Sequence, residues 1–267
     1  MFSRSLRLAV PAILLSVGLC AQPAGAGVCR VISASFGGGG GSGTTPLNAA
    51  SQPGVVPVPN WNIVPTNPAP AGVVTGVLNN LVDNTGAATS LDLSYSSAYF
   101  WGGYSPLNTS NADTNSLYTT GLVGNPVFNP VDVQVVLSQI PFPVYDIYVY
   151  ASQDTFATNT LSTTIGSQTF FYNGPGSTNL GATGLTLSTS TNAGSPTTGL
   201  AHYQIFRGLS GASQTIQLGG SIDNVIAANF FGFQVVGIPE PSTMVLTGIA
   251  GLVGVARLLR RRLRNQG

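Results

Sequence analysis

The chain contains no lysine, one histidine and two cysteines, and only 6% of its 267 residues are charged. Between residues 27 and 237 the basic residues are Arg30 and Arg207 alone, and every acidic residue is an aspartate. Two arginines against seven aspartates give this interval a net charge of −5. Nucleic-acid binding depends on clustered basic side chains, so this composition excludes it. So few histidines and cysteines also argue against a zinc site.

The common catalytic arrangements are missing as well. The sequence has no Gly-x-Ser-x-Gly elbow, and its single histidine, His202, lies in a predicted strand. Glycoside hydrolysis needs two carboxylates that flank the scissile bond. The aspartates could supply them, but no pair is marked by spacing, and the interval contains no glutamate. The sequence therefore predicts no enzyme and no catalytic residues, and a secreted Asp-dependent glycan hydrolase stays as an alternative.

Two local patterns resemble ligand-binding loops. Residues 38–43 fit the spacing G-x-G-x-x-G, but they belong to a glycine tract that no helix follows, so no cofactor is predicted. Residues 111–115 have the spaced oxygen ligands of a calcium loop, without the glycine and glutamate that complete one. No metal site is predicted, and a structural calcium ion stays open.

The first 26 residues read as a secretory signal peptide. Arg4 and Arg7 precede an apolar run from Leu8 to Leu19, and Ala24-Gly25-Ala26 is a small-residue cleavage pattern. The mature chain is expected to begin at Gly27. It then retains Cys29 as its single thiol, which has no internal disulfide partner.

The last 30 residues, 238–267, have three successive parts. Pro239-Glu240-Pro241 is followed by an uncharged, mostly apolar run from Ser242 to Ala256, and then by a basic cluster of Arg257, Arg260, Arg261, Arg262 and Arg264. A helix over residues 243–259 would span roughly 25 Å, somewhat less than the ~30 Å hydrocarbon core of a bilayer. The flanking arginines can reach the headgroups and place the C-terminus in the cytoplasm.

This tail resembles the PEP-CTERM sorting signal of bacterial exopolysaccharide-associated proteins. The resemblance implies that the chain is a substrate of exosortase, which processes such proteins near the Pro-Glu-Pro triplet at the inner membrane. It also implies a final location in the cell envelope, on the outer surface or in the extracellular matrix. The alternative is a plain membrane anchor that is never cleaved.

The interval 27–237 is long enough for one domain and is dominated by strand patterns. No segment in it has sustained helical periodicity. Gly166-Ser167 is typical of a two-residue hairpin turn between two strands. We therefore expect an all-β fold, an antiparallel β-sandwich of jelly-roll-like type. The predicted strands cover residues 28–36, 91–95, 98–101, 131–137, 145–150, 161–165, 168–172, 201–209, 214–218 and 230–236.

Three internal blocks resemble segments of uncharacterised PEP-CTERM proteins. They cover residues 53–62, 81–89 and 140–150. The resemblance implies a shared domain and carries no activity with it.

Carbohydrate binding is the most specific hypothesis for the body. Sugars stack their apolar faces on exposed aromatic rings and form hydrogen bonds with amides. Two clusters offer such groups: Asn60-Trp61-Asn62 in a proline-rich loop, and Tyr99 with Trp101. The alternative is that both tryptophans fill the core, as large aromatic side chains often do.

Taken together, these patterns predict an exported, non-enzymatic matrix protein that binds extracellular polysaccharide. Its predicted partners are exosortase, the inner membrane and polysaccharide. A self-associating structural surface protein is a further alternative, and long uncovered strand edges would favour it.

Overall fold

A computed structural model describes residues 29–38, 44–65, 73–102, 106–124, 132–154, 160–174, 182–219 and 227–239. The all-β prediction is confirmed over these residues, which form two β-sheets and one short helix. None of their helices is long and apolar enough to cross a membrane. The predicted signal peptide 1–26 and membrane helix 243–259 lie outside the described residues, as do Glu240 and Pro241.

One sheet has eight strands, in the order β11-β13-β8-β15-β1-β2, with β6 and β5 continuing from β15. Strand β1 pairs with the end of β15, and β6 pairs with its beginning, so both lie on the same side of β15. The strands are β1 (Val31–Phe36), β2 (Asn62–Val64), β5 (Tyr99–Trp101), β6 (Gly121–Gly124), β8 (Val144–Asp154), β11 (Thr186–Leu187), β13 (Ala201–Ser210) and β15 (Ala227–Gly237).

The other sheet has seven strands, in the order β12-β10-β9-β14-β7-β4-β3. Its members are β3 (Val74–Leu78), β4 (Asp92–Ser97), β7 (Val133–Ser138), β9 (Leu161–Ile165), β10 (Gln168–Asn173), β12 (Thr197–Thr198) and β14 (Ser213–Gly219). The hairpin between β9 and β10 turns at Gly166, whose φ of +57° is a conformation that glycine adopts without strain. The predicted turn is therefore confirmed.

Both sheets are mixed. The long neighbouring strands pair antiparallel, whereas β1–β2, β10–β12 and β11–β13 pair in parallel. The prediction of a purely antiparallel sandwich was therefore wrong for the short strands at the sheet margins. The jelly-roll-like connectivity stays a prediction.

The main core lies between the two sheets. On β7, Val133, Val135 and Leu137 are buried while the residues between them are more exposed, which is the period-2 pattern of a sheet with one solvated face. Facing them from the eight-stranded sheet are Ile147 and Val149 of β8, within one continuous apolar cluster. Burying each such side chain contributes about 1.5–3 kcal/mol to folding.

A second apolar cluster covers the outer face of the eight-stranded sheet. Tyr150 of β8 and Phe231 of β15 point into it, away from the main core. Loop residues supply the rest, among them Leu47, Trp61 and Leu107. We call these loops and the helix α1 (Ala112–Leu117) the outer layer. The molecule therefore has three layers, and the eight-stranded sheet is the middle one.

Helix α1 is capped at its N-terminus by Asn111. The side chain of Asn111 accepts a hydrogen bond from the backbone N–H of Thr114 at 2.9 Å. Asparagine is among the preferred residues at this position because its short side chain satisfies an otherwise unpaired N–H.

Candidate functional site

Trp61, one of the two predicted sugar-stacking residues, is buried in the outer layer. Its side chain is 4% exposed, and the indole N–H donates to the carbonyl of Val58 at 3.1 Å. Its ring centroid lies 6.1 Å from that of Tyr150. Neither ring face is open to a sugar, so the structure contradicts a stacking role for Trp61. Burying a large aromatic ring removes much apolar area from water and therefore stabilises the fold.

The flanking amides, Asn60 and Asn62, are also occupied within the fold. Asn62 donates to the carbonyls of Ser33 and Val82, both at 2.8 Å, and accepts from the N–H of Val82. Asn60 has a φ of +61° and donates to the carbonyl of Asn84 at 3.0 Å. These contacts satisfy backbone groups within the fold, so both asparagines have a structural role.

The three blocks singled out by resemblance meet at this place. Residues 53–62 reach residues 81–89 through Asn60 and Asn62, as just described. They reach residues 140–150 through Val55, whose N–H donates to the hydroxyl of Tyr150 at 3.0 Å. The three blocks therefore contact one another where the outer layer packs on the eight-stranded sheet.

The second predicted cluster, Tyr99 and Trp101, has a different environment. Both residues lie on the short strand β5 and share one face of it, whereas Phe100 on the opposite face is buried. Tyr99 packs partly against the outer layer, and Trp101 is 49% exposed. Among the aromatic side chains that the structure describes, Trp101 is the most exposed.

A cleft of about 290 Å³ with both polar and apolar walls lies in the same outer layer. Its walls are the Thr44–Thr45 segment, the first turns of α1 with Asp113, and Pro106 with Leu107. Leu107 belongs to the apolar cluster that Tyr99 packs against. Pro106 follows Trp101 by five residues, which can span at most about 18 Å.

A second concavity, a groove of about 240 Å³, lies at the opposite margin of the eight-stranded sheet. Gln168 and Phe170 of β10 border it on one side, and Ile205 and Arg207 of β13 on the other. Four strand spacings, about 19 Å, separate β13 from β5, so the groove and Trp101 are distinct sites. No sequence pattern indicates this groove, although Arg207 is one of the two basic residues between residues 27 and 237.

His202 is fully buried between the sheets and has no access to a substrate. Its Nδ1 lies 2.9 Å from the hydroxyl of Ser188, and its Nε2 lies 3.1 and 3.0 Å from the carbonyls of Asn173 and Gly199. Two carbonyl partners require a proton on Nε2, so Nδ1 accepts from Ser188. Burial lowers the pKa of His202, although the two carbonyls partly oppose that shift. The ring is a neutral structural group.

Each aspartate whose side chain the structure describes accepts hydrogen bonds from other residues of the chain. Burial raises the pKa of Asp83, but hydrogen bonds from Thr85, Arg30 and Ala87 outweigh it and leave the pKa below its usual value. The other four accept bonds as follows: Asp92 from Gln139, Asp113 from Gln52, Asp132 from Gln217 and Asp146 from Gly208. This arrangement gives the hydrolase alternative no support.

The calcium-like pattern at residues 111–115 is accounted for by capping. Asn111 caps α1, and the amide of Asn115 bonds the N–H and carbonyl of Thr109 at 2.9 and 3.0 Å. Across the described residues no three histidine, cysteine, aspartate or glutamate side chains are grouped so as to hold a metal ion.

Comparisons with known proteins add little to this picture. No protein-family model matches the chain, and no curated protein matches it. Among solved structures, the chain is similar to the CBM36-1 domain of a multidomain xylanase from the hindgut metagenome of Trinervitermes trinervoides. The identity is 15% and the TM-score 0.27, over 46% of this chain and 82% of that chain. An overlap of this size assigns neither a function nor a ligand.

Proposed function

We propose that the protein is an exported, non-enzymatic β-sandwich of the cell envelope or its surrounding matrix that binds polysaccharide at Trp101. The half-exposed indole of Trp101 is the observation that carries the proposal. An exposed tryptophan does not contribute the stabilisation that its full burial would give. Aromatic residues are enriched at binding interfaces relative to the rest of the protein surface. Every other aromatic side chain that the structure describes is less exposed than Trp101.

The surroundings of Trp101 suit a neutral, hydroxyl-rich polymer. The cleft in the same layer presents the hydroxyl-bearing Thr44 and Thr45 and the carboxylate of Asp113. The one charged residue there is acidic, and the body as a whole carries −5, so an anionic polysaccharide would be repelled. A neutral polysaccharide meets no such penalty.

Intrinsic fluorescence tests this proposal directly, because the chain has two tryptophans and Trp61 is buried. The exported protein is titrated with the neutral and the acidic fractions of its host's exopolysaccharide. We expect the neutral fraction to shift the Trp101 emission to shorter wavelength and to shield it from iodide quenching. Trp101→Ala should weaken binding at least about tenfold, or about 1.4 kcal/mol.

Two matched variants complete this experiment. Trp101→Phe retains an aromatic face and should bind with intermediate affinity, whereas Trp61→Phe should bind as tightly as wild type. Equal affinity of Trp101→Ala and wild type for every fraction would refute the proposed site.

For delivery, we propose sorting through Pro239, Glu240 and Pro241 by exosortase. The position of the last strand supports this, because β15 ends at Gly237 and the triplet begins two residues later. Cleavage there would leave the sandwich intact. Replacing the triplet with three alanines should retain the protein in the inner membrane of a host that carries the exosortase. Release of that variant at the wild-type length would show that the triplet is not the signal.

A further inference from the structure

Strand β3 forms one margin of the seven-stranded sheet. It pairs antiparallel with β4 on one side, and no described strand pairs with its other side. Val73, Thr75 and Val77 share its outer face. The two valines are 51% and 65% exposed, the highest values among the large apolar side chains that the structure describes. Along its far side, the described residues place no strand that would pair with its backbone N–H and C=O groups.

The inner face of β3 is closed by its neighbour β4. The ring of Tyr95 lies against Gly76, where a Cβ atom would approach the ring to 2.6 Å. The Tyr95 hydroxyl donates to the carbonyl of Pro65 at 3.3 Å. The strand is therefore fixed in position and extended, with Val73 and Val77 exposed on its outer face and no described strand along its far edge.

The other margins of the two sheets are protected in ways that β3 is not. Strands β11 and β12 have two residues each, and β2 and β5 have three, whereas β3 has five. Beyond β11, the edge of β13 carries the charged Arg207 and a bulge between Phe206 and Leu209. Short strands, bulges and charges are the usual devices that prevent edge-to-edge pairing. The segment Val73–Leu78 has no charge, no proline and no bulge.

We propose that β3 is a self-association edge, at which a second copy of this chain pairs antiparallel and joins the two seven-stranded sheets. A second copy fits because the edge is self-complementary. With Thr75 on the two-fold axis, Val73 of each copy lies opposite Val77 of the other, and cross-strand β-branched pairs of this kind stabilise a sheet. The body's net charge of −5 opposes close approach elsewhere, but this segment brings no charges together. This inference is independent of the polysaccharide proposal.

A pair of lysine variants tests the inference by sedimentation velocity on the exported protein over a range of concentrations. Thr75 on β3 and Thr215 on β14 are both exposed on the outer face of the same sheet, but Thr215 lies away from the edge. Wild type and Thr215→Lys should form a dimer. Thr75→Lys places two like charges opposite each other and should raise the dissociation constant at least tenfold. A monomeric wild type, or equal dissociation constants for the two variants, would overturn the inference.

Cysteine variants test the geometry of the pairing. In a Cys29→Ser background, Thr75→Cys should form a covalent dimer on mild oxidation, because the two thiols face each other at the axis. Thr215→Cys should remain monomeric under the same conditions. Equal cross-linking of the two variants would show that copies meet at random or at another surface, and would exclude pairing at β3.

Discussion

The two sheets of this molecule differ in what covers their outer faces. The eight-stranded sheet lies between the main core and the outer layer, and all six residues of β1 and all four of β6 are buried. The seven-stranded sheet buries one face, and its strands β4 and β7 alternate between buried and more exposed residues. Polar side chains in a sheet that is buried on both faces depend on partners within the protein, whereas those on a solvated face can bond to water.

The buried polar network around Gln234 illustrates this requirement. Gln234 of β15 accepts from the hydroxyl of Tyr150 and donates to the hydroxyl of Ser33 and the carbonyl of Val56 at 3.1 and 2.8 Å. Tyr150 also accepts from the N–H of Val55. Burial raises the pKa of Tyr150, so the phenol stays protonated and keeps its donor. This network connects the outer layer to the middle of the sheet.

The largest effect is expected from Trp61→Ala, which removes the ring that joins the outer layer to Tyr150. We expect a loss of about 3–5 kcal/mol in the free energy of unfolding, the usual cost of truncating a buried tryptophan. Urea unfolding of the exported protein measures it. Trp101→Ala is the matched control and should lose far less, because about half of that side chain is already exposed. Equal losses would contradict the assignment of one tryptophan to the core and one to the surface.

A smaller effect is expected from Tyr150→Phe, which deletes one hydroxyl from the network. Gln234 loses its donor and Val55 loses its acceptor, so the free energy of unfolding should fall by about 1–3 kcal/mol. Thr215→Val, on the solvated face of the other sheet, should change it by less than about 0.5 kcal/mol. A loss at Thr215 as large as that at Tyr150 would remove the distinction between the two sheets.

The strands with the clearest patterns were predictable from the sequence. Alternation and β-branched content located β7, β8, β9, β10 and β14 to within a few residues. Strands β2, β3 and β6 were missed because they are short and sit between proline- and glycine-rich segments. Their extended conformation depends on pairing with the separate strands β1, β4 and β15. Local propensity carries no information about such pairing.

The candidate site was predictable in part. Two aromatic clusters with similar flanking residues were found, and sequence alone gave no way to tell which tryptophan is buried. That outcome depends on the outer layer, a set of loops that covers Trp61 and leaves Trp101 at a sheet margin. The groove at Arg207 was not predicted, because its two walls, β10 and β13, are separate in the sequence and approach each other only in the folded chain.

The last prediction concerns the pH dependence of stability, because His202 is a polar group enclosed between the sheets. Its folded pKa lies below the usual value of 6.5, so the unfolded chain binds a proton more readily than the folded chain. Stability should therefore be complete above about pH 6.5 and fall as the pH decreases through the interval below it. Asp83, whose pKa is lowered from 3.8, should lose its contribution only in stronger acid.

Urea unfolding at pH 7.5 and pH 5.5 measures this difference, and the chain has no second histidine to confuse the assignment. His202→Gln should be less stable than wild type at both pH values, since glutamine cannot reproduce the contacts to Ser188 and two carbonyls. It should nevertheless show a smaller change between them, because the group that takes up the proton is gone. An unchanged pH dependence in this variant would contradict the prediction. It would mean that His202 is not the group whose protonation destabilises the folded chain.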